Sequence, residues 1–120
     1  MAKILVIEDN PQNMYLCTFI LKNKHHTVIQ AYNGKDGIAM AESDVPDLIL
    51  LDIQLPGLDG YAVAQVLKNS EVTKGIPVVA VTSYAMSGDR EKILSAGCEG
   101  YIEKPINPET FMDEVAAHLP

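Results

Sequence analysis

Tryptophan is absent from this chain of 120 residues, and aromatic side chains make up only 6% of it. Cysteine occurs twice, at Cys17 and Cys98, far apart and in no metal-ligand spacing. The pair reads as small core or boundary residues rather than a disulfide or a redox couple. Basic side chains are scarce: nine Lys and Arg stand against sixteen Asp and Glu, a net charge of −7. That balance argues against nucleic acid as a partner, which needs a basic footprint. No apolar run approaches the roughly 18 residues that span a bilayer. Met1-Ala2-Lys3 leads directly into a strand-like run, so no signal peptide is expected. The expectation is a cytoplasmic protein with no membrane partner. Linkers, repeats and low-complexity stretches are also missing, so residues 1–120 read as one domain. No effector domain is expected, since the last helical pattern runs to the end of the sequence.

What is present is order. Five strand-like runs, Ile4–Ile7, Thr27–Ala31, Leu48–Leu51, Val78–Val81 and Tyr101–Ile102, alternate with five helical patterns. The first helix opens at Asn10-Pro11, an N-cap followed by proline at the first helical position. Met14, Cys17, Ile20 and Leu21 recur at helical spacing behind it. The second helix starts near Asn33 and carries Ile38, Ala39 and Ala41. The third follows Asp59-Gly60 with Val63, Val66 and Leu67 on one side. The fourth follows Ser87 and stops at Gly97, a suitable C′ residue. The fifth starts at Asn107-Pro108 and carries Phe111, Met112, Val115 and Leu119. Strict alternation predicts an α/β fold, a doubly wound parallel sheet with helices on both faces.

The chemistry gathers at the strand ends. Leu48 to Leu51 are all branched aliphatics, as in a strand buried on both faces, and Asp52 follows them. Glu8-Asp9 ends the first run, Thr82-Ser83 the fourth, and Glu103-Lys104-Pro105 the fifth. In a doubly wound sheet these ends share one rim. Two carboxylates about 4 Å apart repel by roughly a few kcal/mol at an effective dielectric near 20. A divalent cation removes that repulsion, and an all-oxygen donor set favours Mg²⁺ or Mn²⁺ over zinc. Cation, Lys104 ammonium and Thr82 hydroxyl around one carboxylate make a receptor for a tetrahedral dianion. Asp52 then reads as a nucleophile that becomes an acyl phosphate by in-line transfer. A cis Lys104–Pro105 bond would bend the last loop and aim the lysine inward.

Five motifs in order carry a resemblance. They are Ile7-Glu8-Asp9-Asn10, Leu50-Leu51-Asp52-Ile53-Gln54-Leu55-Pro56-Gly57-Leu58-Asp59-Gly60, Pro77-Val78-Val79-Ala80-Val81-Thr82-Ser83, Gly97-Cys98 and Tyr101-Ile102-Glu103-Lys104-Pro105. Together the chain resembles the receiver domain of two-component response regulators over essentially its whole length. The run Thr82-Ser83-Tyr84-Ala85-Met86 with Gly97-Cys98 is most similar to single-domain regulators of the DivK type, and it is also similar to receivers of hybrid histidine kinases. The resemblance implies a flavodoxin-like (βα)5 sheet of order 2-1-3-4-5. It implies that Asp52 accepts phosphate from a histidine kinase or histidine phosphotransfer protein. Glu8, Asp9, Asp52 and the backbone carbonyl of Gln54 would hold Mg²⁺, and Thr82 and Lys104 would contact the phosphoryl oxygens. Tyr101 would be a switch aromatic that follows Thr82. A downstream protein would then read the face built from the fourth helix, fifth strand and fifth helix. Such a chain catalyses its own phosphorylation and dephosphorylation and is not a conventional enzyme. Gln54 and Tyr84 match positions that tune attack of water on the acyl phosphate; with no carboxylate at either, a long-lived phosphoryl form is expected. A monomer is expected, with a phosphorylation-dependent dimer as the alternative, for which the sequence offers no support.

Other titratable residues read as structural. Asp59 is a helix cap, Asp47 starts the third strand, and His25-His26 is a surface loop with no third ligand. His118 fits a dipole partner at the end of the last helix. Met86, in the loop after the fourth strand, reads as a packing residue. Two other functions compete. A haloacid-dehalogenase-like phosphatase needs a second Asp two residues after the nucleophile, where Gln54 stands. A flavodoxin-like carrier needs a phosphate loop after the first strand, where Glu8-Asp9-Asn10 would repel phosphate.

Overall fold

The computed structural model describes residues 1–57, 59–83 and 87–119. Tyr84 and Met86 lie outside the described residues, so the tuning role of the first and the packing role of the second have no structural counterpart here.

The elements run β1 (Lys3–Ile7), α1 (Pro11–Asn23), β2 (Thr27–Ala31), α2 (Gly34–Asp44), β3 (Leu48–Asp52), α3 (Gly60–Asn69), β4 (Val78–Thr82), α4 (Ser87–Ser95), β5 (Gly100–Glu103) and α5 (Pro108–Ala116). The five strands form one parallel sheet in the order β2-β1-β3-β4-β5. The three central strands are apolar because both faces are covered. Leu5, Ile7, Ile49, Leu51, Val78 and Ala80 point into one core with Val63, Leu67 and Ile93. Their neighbours Ile4, Val6, Leu48, Leu50, Val79 and Val81 point into the other, against Met14, Leu21, Phe111 and Val115. Alternate residues of a strand face opposite ways, so a strand with two cores must be apolar throughout. The edge strands β2 and β5 carry mixed burial, which is why their apolar signal is weaker. Among the described residues no helix is long and apolar enough to cross a membrane.

Helix starts follow their caps. Asn10 Oδ1 accepts from the backbone N–H groups of Gln12 and Asn13, Asn33 from Asp36, Asp59 from Ala62, and Asn107 from Glu109. Each cap satisfies N–H groups that the first helical turn leaves open. Gly97 takes a φ of +101° after α4, the left-handed value a C′ glycine allows. Cys17 and Cys98 are buried free thiols in the two cores, as expected.

Several expectations shift. β3 and β4 each extend one residue further, so Asp52 and Thr82 are the last residues of their strands. β5 runs from Gly100 to Glu103 and is longer than the pair Tyr101–Ile102. Val66 is 44% exposed. The buried stripe of α3 is Gly60, Val63, Ala64 and Leu67, and Val66 falls on its flank. Leu119 lies beyond α5 but still packs against the core shared with α1.

Candidate functional site

The C-terminal ends of β1, β3, β4 and β5 bring Glu8, Asp9, Asp52, Thr82 and Lys104 to one rim. Parallel register does this: Ile7 pairs with Leu51, Asp52 with Val81, and Thr82 with Glu103. One carboxylate oxygen each from Glu8, Asp9 and Asp52 lie within 4.8 Å of one another. Glu8 and Asp52 are each only 3% exposed, whereas Asp9 faces solvent.

Lys104 Nζ sits between the two buried acids, 3.2 Å from Glu8 Oε1 and 3.2 Å from Asp52 Oδ1. The loop that carries it follows a backbone bond from Lys104 N–H to the Thr82 carbonyl at 2.8 Å. The Lys104–Pro105 peptide is cis. Glu8 Oε2 accepts from the Asn10 backbone N–H at 3.1 Å, and Asp52 Oδ1 from the Gln54 N–H at 2.9 Å. These bonds fix both carboxylates before any ligand arrives.

Electrostatics follow from the crowding. Burial, helped by a hydrogen bond and charge repulsion from Asp52, pushes the Glu8 carboxyl up to about 7. The Asn10 N–H and the Lys104 charge act the other way and are outweighed. Burial alone would lower Lys104, but Asp52 and Glu8 outweigh it and hold the ammonium above its ordinary value. The neighbouring Cys17 thiol rises to about 12, through burial first and then the charge of Glu8. Burial in the core keeps it in the thiol form. The partly buried Lys104 ammonium is a single positive charge beside three clustered carboxyl groups. The donors are all oxygen, so the residues present fit a hard divalent cation.

Thr82 is buried at 1% exposure. Its Oγ1 accepts from Gln54 Nε2 at 2.8 Å, and Gln54 Oε1 accepts from the Ser83 N–H at 3.4 Å. Sequence reasoning placed Gln54 near the site but missed this contact, because the residues are 28 positions apart and only the β3–β4 pairing joins them. It also read Asn10 only as a cap; its place two residues after Glu8 was the available signal. Gly60 sets the floor of the β3–α3 loop. A Cβ there would collide with Ile53 Cα and lie 2.7 Å from the Asp52 carbonyl oxygen. Only glycine lets α3 start this close to the acid.

Tyr101 is not in the cluster. It pairs in register with Ala80, partly buried, with the Arg90 guanidinium 5.3 Å from its ring centre. Asp47 Oδ2 accepts from the Lys3 N–H, and His26 Nδ1 from the Ala2 N–H, both away from the rim. His118 lies past α5 and pairs with Glu99 at 2.8 Å, so its partner is a side chain rather than the helix end expected. A cleft of about 450 Å³ at the other end of the sheet is lined by Asp47, Lys68, Glu99 and His118. Its groups are already engaged, Lys68 with the carbonyls of Lys74 and Ile76, His118 with Glu99. Among the described residues, the three clustered carboxylates and the lysine beside them lie at the rim and not in this cleft.

Known proteins share this chain's sequence pattern and its fold. Residues 4–116 match the family model described as the response regulator receiver domain. The chain is 40% identical over 116 residues to the polar-differentiation response regulator DivK of Brucella anthropi, across 97% of this chain and 94% of that protein. The chemotaxis protein CheY4 of Vibrio cholerae superposes with a TM-score of 0.94 at 24% identity, over 99% of both chains. A receiver domain of a Pseudomonas aeruginosa sensor histidine kinase gives 0.89 at 32% identity, over 98% of this chain and 96% of that one. That domain has a magnesium ion coordinated in its active site cleft.

Proposed function

The chain belongs to the response regulator receiver family, and we propose that Asp52 is its phosphoryl acceptor. The donor is a phosphohistidine on a histidine kinase or histidine phosphotransfer protein. One observation carries this reading: a buried carboxylate at the end of β3, 3.2 Å from Lys104 and within 4.8 Å of two more carboxylates. A carboxylate so placed is oriented, desolvated and shielded from its own neighbours by a cation, as a nucleophile needs to be.

In the transfer an Asp52 carboxylate oxygen forms the new bond to phosphorus as the bond from phosphorus to imidazole nitrogen breaks. The leaving imidazole takes that electron pair. Lys104 neutralises charge on the phosphoryl oxygens from its position beside Asp52. The Thr82 hydroxyl supplies a hydrogen bond from β4. Glu8, Asp9, Asp52 and the backbone carbonyl of Gln54 would hold Mg²⁺, with Mn²⁺ as a substitute. When bound, the cation supplies positive charge to the phosphoryl group and to the crowded acids. Magnesium in the cleft of the Pseudomonas receiver supports this assignment.

Movement of Thr82 toward the phosphoryl group would free Tyr101 to turn inward and alter the face formed by α4, β5 and α5. The reader of that face is another protein, in keeping with the net charge of −7. The test is intact mass after incubation with acetyl phosphate and Mg²⁺. The wild type gains about 80 Da, the mass of a phosphoryl group added by phosphorylation; Asp52→Asn gains nothing, and EDTA abolishes the gain. Equal phosphorylation of Asp52→Asn and wild type would overturn the assignment.

A further inference from the structure

We propose that Gln54 is a positioning residue that holds the Thr82 hydroxyl in its resting place and so sets the resting balance of the switch. This goes a step past the phosphoryl-acceptor reading and rests on it. Gln54 touches both halves of the site. Its backbone N–H donates to Asp52 Oδ1 at 2.9 Å, while its side chain crosses to β4. There Nε2 donates to Thr82 Oγ1 at 2.8 Å and Oε1 accepts from the Ser83 N–H at 3.4 Å. A carboxamide has one donor end and one acceptor end, and here each end is used on consecutive residues of one segment. The Ser83 N–H can only donate, so it fixes Oε1 on its side and Nε2 on the side of Thr82.

The consequence is a clamp across the β3–β4 seam. Thr82 is buried, so a hydroxyl drawn toward a phosphoryl group on Asp52 gives up the Gln54 bond inside the protein rather than to water. The clamp therefore favours the resting arrangement. Removing it raises the fraction of chains already competent for the active arrangement, and apparent affinity for an activating ligand rises by the same factor. One neutral hydrogen bond changes such an equilibrium by about two- to tenfold. The side chain alone is responsible: the N–H bond to Asp52 and the backbone carbonyl of residue 54 remain when the amide is replaced.

The experiment uses beryllofluoride with Mg²⁺ as a phosphoryl mimic, with affinity read from amide resonances in NMR titrations. Four chains are compared: wild type, Gln54→Met, Thr82→Ala and the double variant, with Gln54→Leu as a second apolar replacement. The clamp predicts that Gln54→Met tightens binding about two- to tenfold when Thr82 is present and leaves it unchanged in the Thr82→Ala background. The Ser83 amide proton should also shift in the unliganded Gln54→Met protein, having lost its acceptor. Equal effects in both backgrounds, or weaker binding when Thr82 is present, overturn the clamp. A measurement on the wild type alone guards against variants that fold poorly. The Gln54 side-chain NH₂ resonances should move on saturation with beryllofluoride, and unmoved resonances overturn the proposal. A wild type that takes up no beryllofluoride overturns the acceptor reading and the clamp with it. A wild type that binds but shows no coupling overturns the clamp alone.

Discussion

Lowering the pH from 8 to 6 should weaken Mg²⁺ binding about tenfold, through one carboxyl group. In the metal-free protein Glu8 titrates near 7 because burial and the adjacent Asp52 disfavour its charge. At pH 6 about nine-tenths of the molecules then carry a proton on Glu8, and at pH 8 about one-tenth. A carboxylate must be ionised to ligate, so the proton has to leave as the cation arrives. Apparent affinity should climb about tenfold between pH 6 and 8 and level off above. The same shift makes a stability claim. Between its ordinary 4.5 and about 7, folded Glu8 keeps a proton that the unfolded chain has released. The folded metal-free protein therefore loses stability as pH rises through that window, by on the order of 3 kcal/mol, and no more beyond it. Calorimetric Mg²⁺ titrations in buffers of different ionisation enthalpy count the protons. Nearly one per cation should be released at pH 6 and almost none at pH 8, and Glu8→Gln should abolish the difference. Flat affinity from pH 6 to 8 with no proton release would refute the reasoning.

Further outcomes follow from the same contacts. Lys104→Met strands two buried carboxylates and should lose roughly 2–4 kcal/mol at pH 8, less at pH 6 where Glu8 is protonated, and Mg²⁺ should narrow the gap. Urea denaturation at the two pH values decides; equal losses would mean the ammonium does not offset that charge. Gly60→Ala should destabilise by about 1–3 kcal/mol although alanine favours helices, because its Cβ meets backbone. A raised urea midpoint would refute the close approach. Thr82→Ala should still bind beryllofluoride, but spectral changes should stay at the rim and not reach Tyr101 on β5. Changes spreading across α4, β5 and α5 as in wild type would remove Thr82 from the relay. The phosphoryl form should decay over minutes or longer, since Gln54 offers no carboxylate to position water; decay of the 80 Da adduct within seconds would contradict that.

Much of this was written locally in the chain. Apolar runs of four or five residues marked the strands that two cores bury, and Asn10-Pro11, Asp59 and Asn107-Pro108 announced helix starts by side-chain chemistry confined to one turn. Asp52, Thr82 and Lys104 could be placed on one rim because parallel strands all end on the same side. The sequence alone thus determined the fold class, the acidic rim and the family resemblance, since each depends on short-range pattern or on the order of elements. The tertiary structure alone decided the rest. Val66 turned outward because helix rotation is set by what packs beneath it. His118 met Glu99, and Gln54 met Thr82, across separations no local pattern encodes. The upward shift of Glu8 also belongs to the fold. Its cause is removal from water beside a second carboxylate, and both conditions arise only when β1 and β3 pair and the helices close over them.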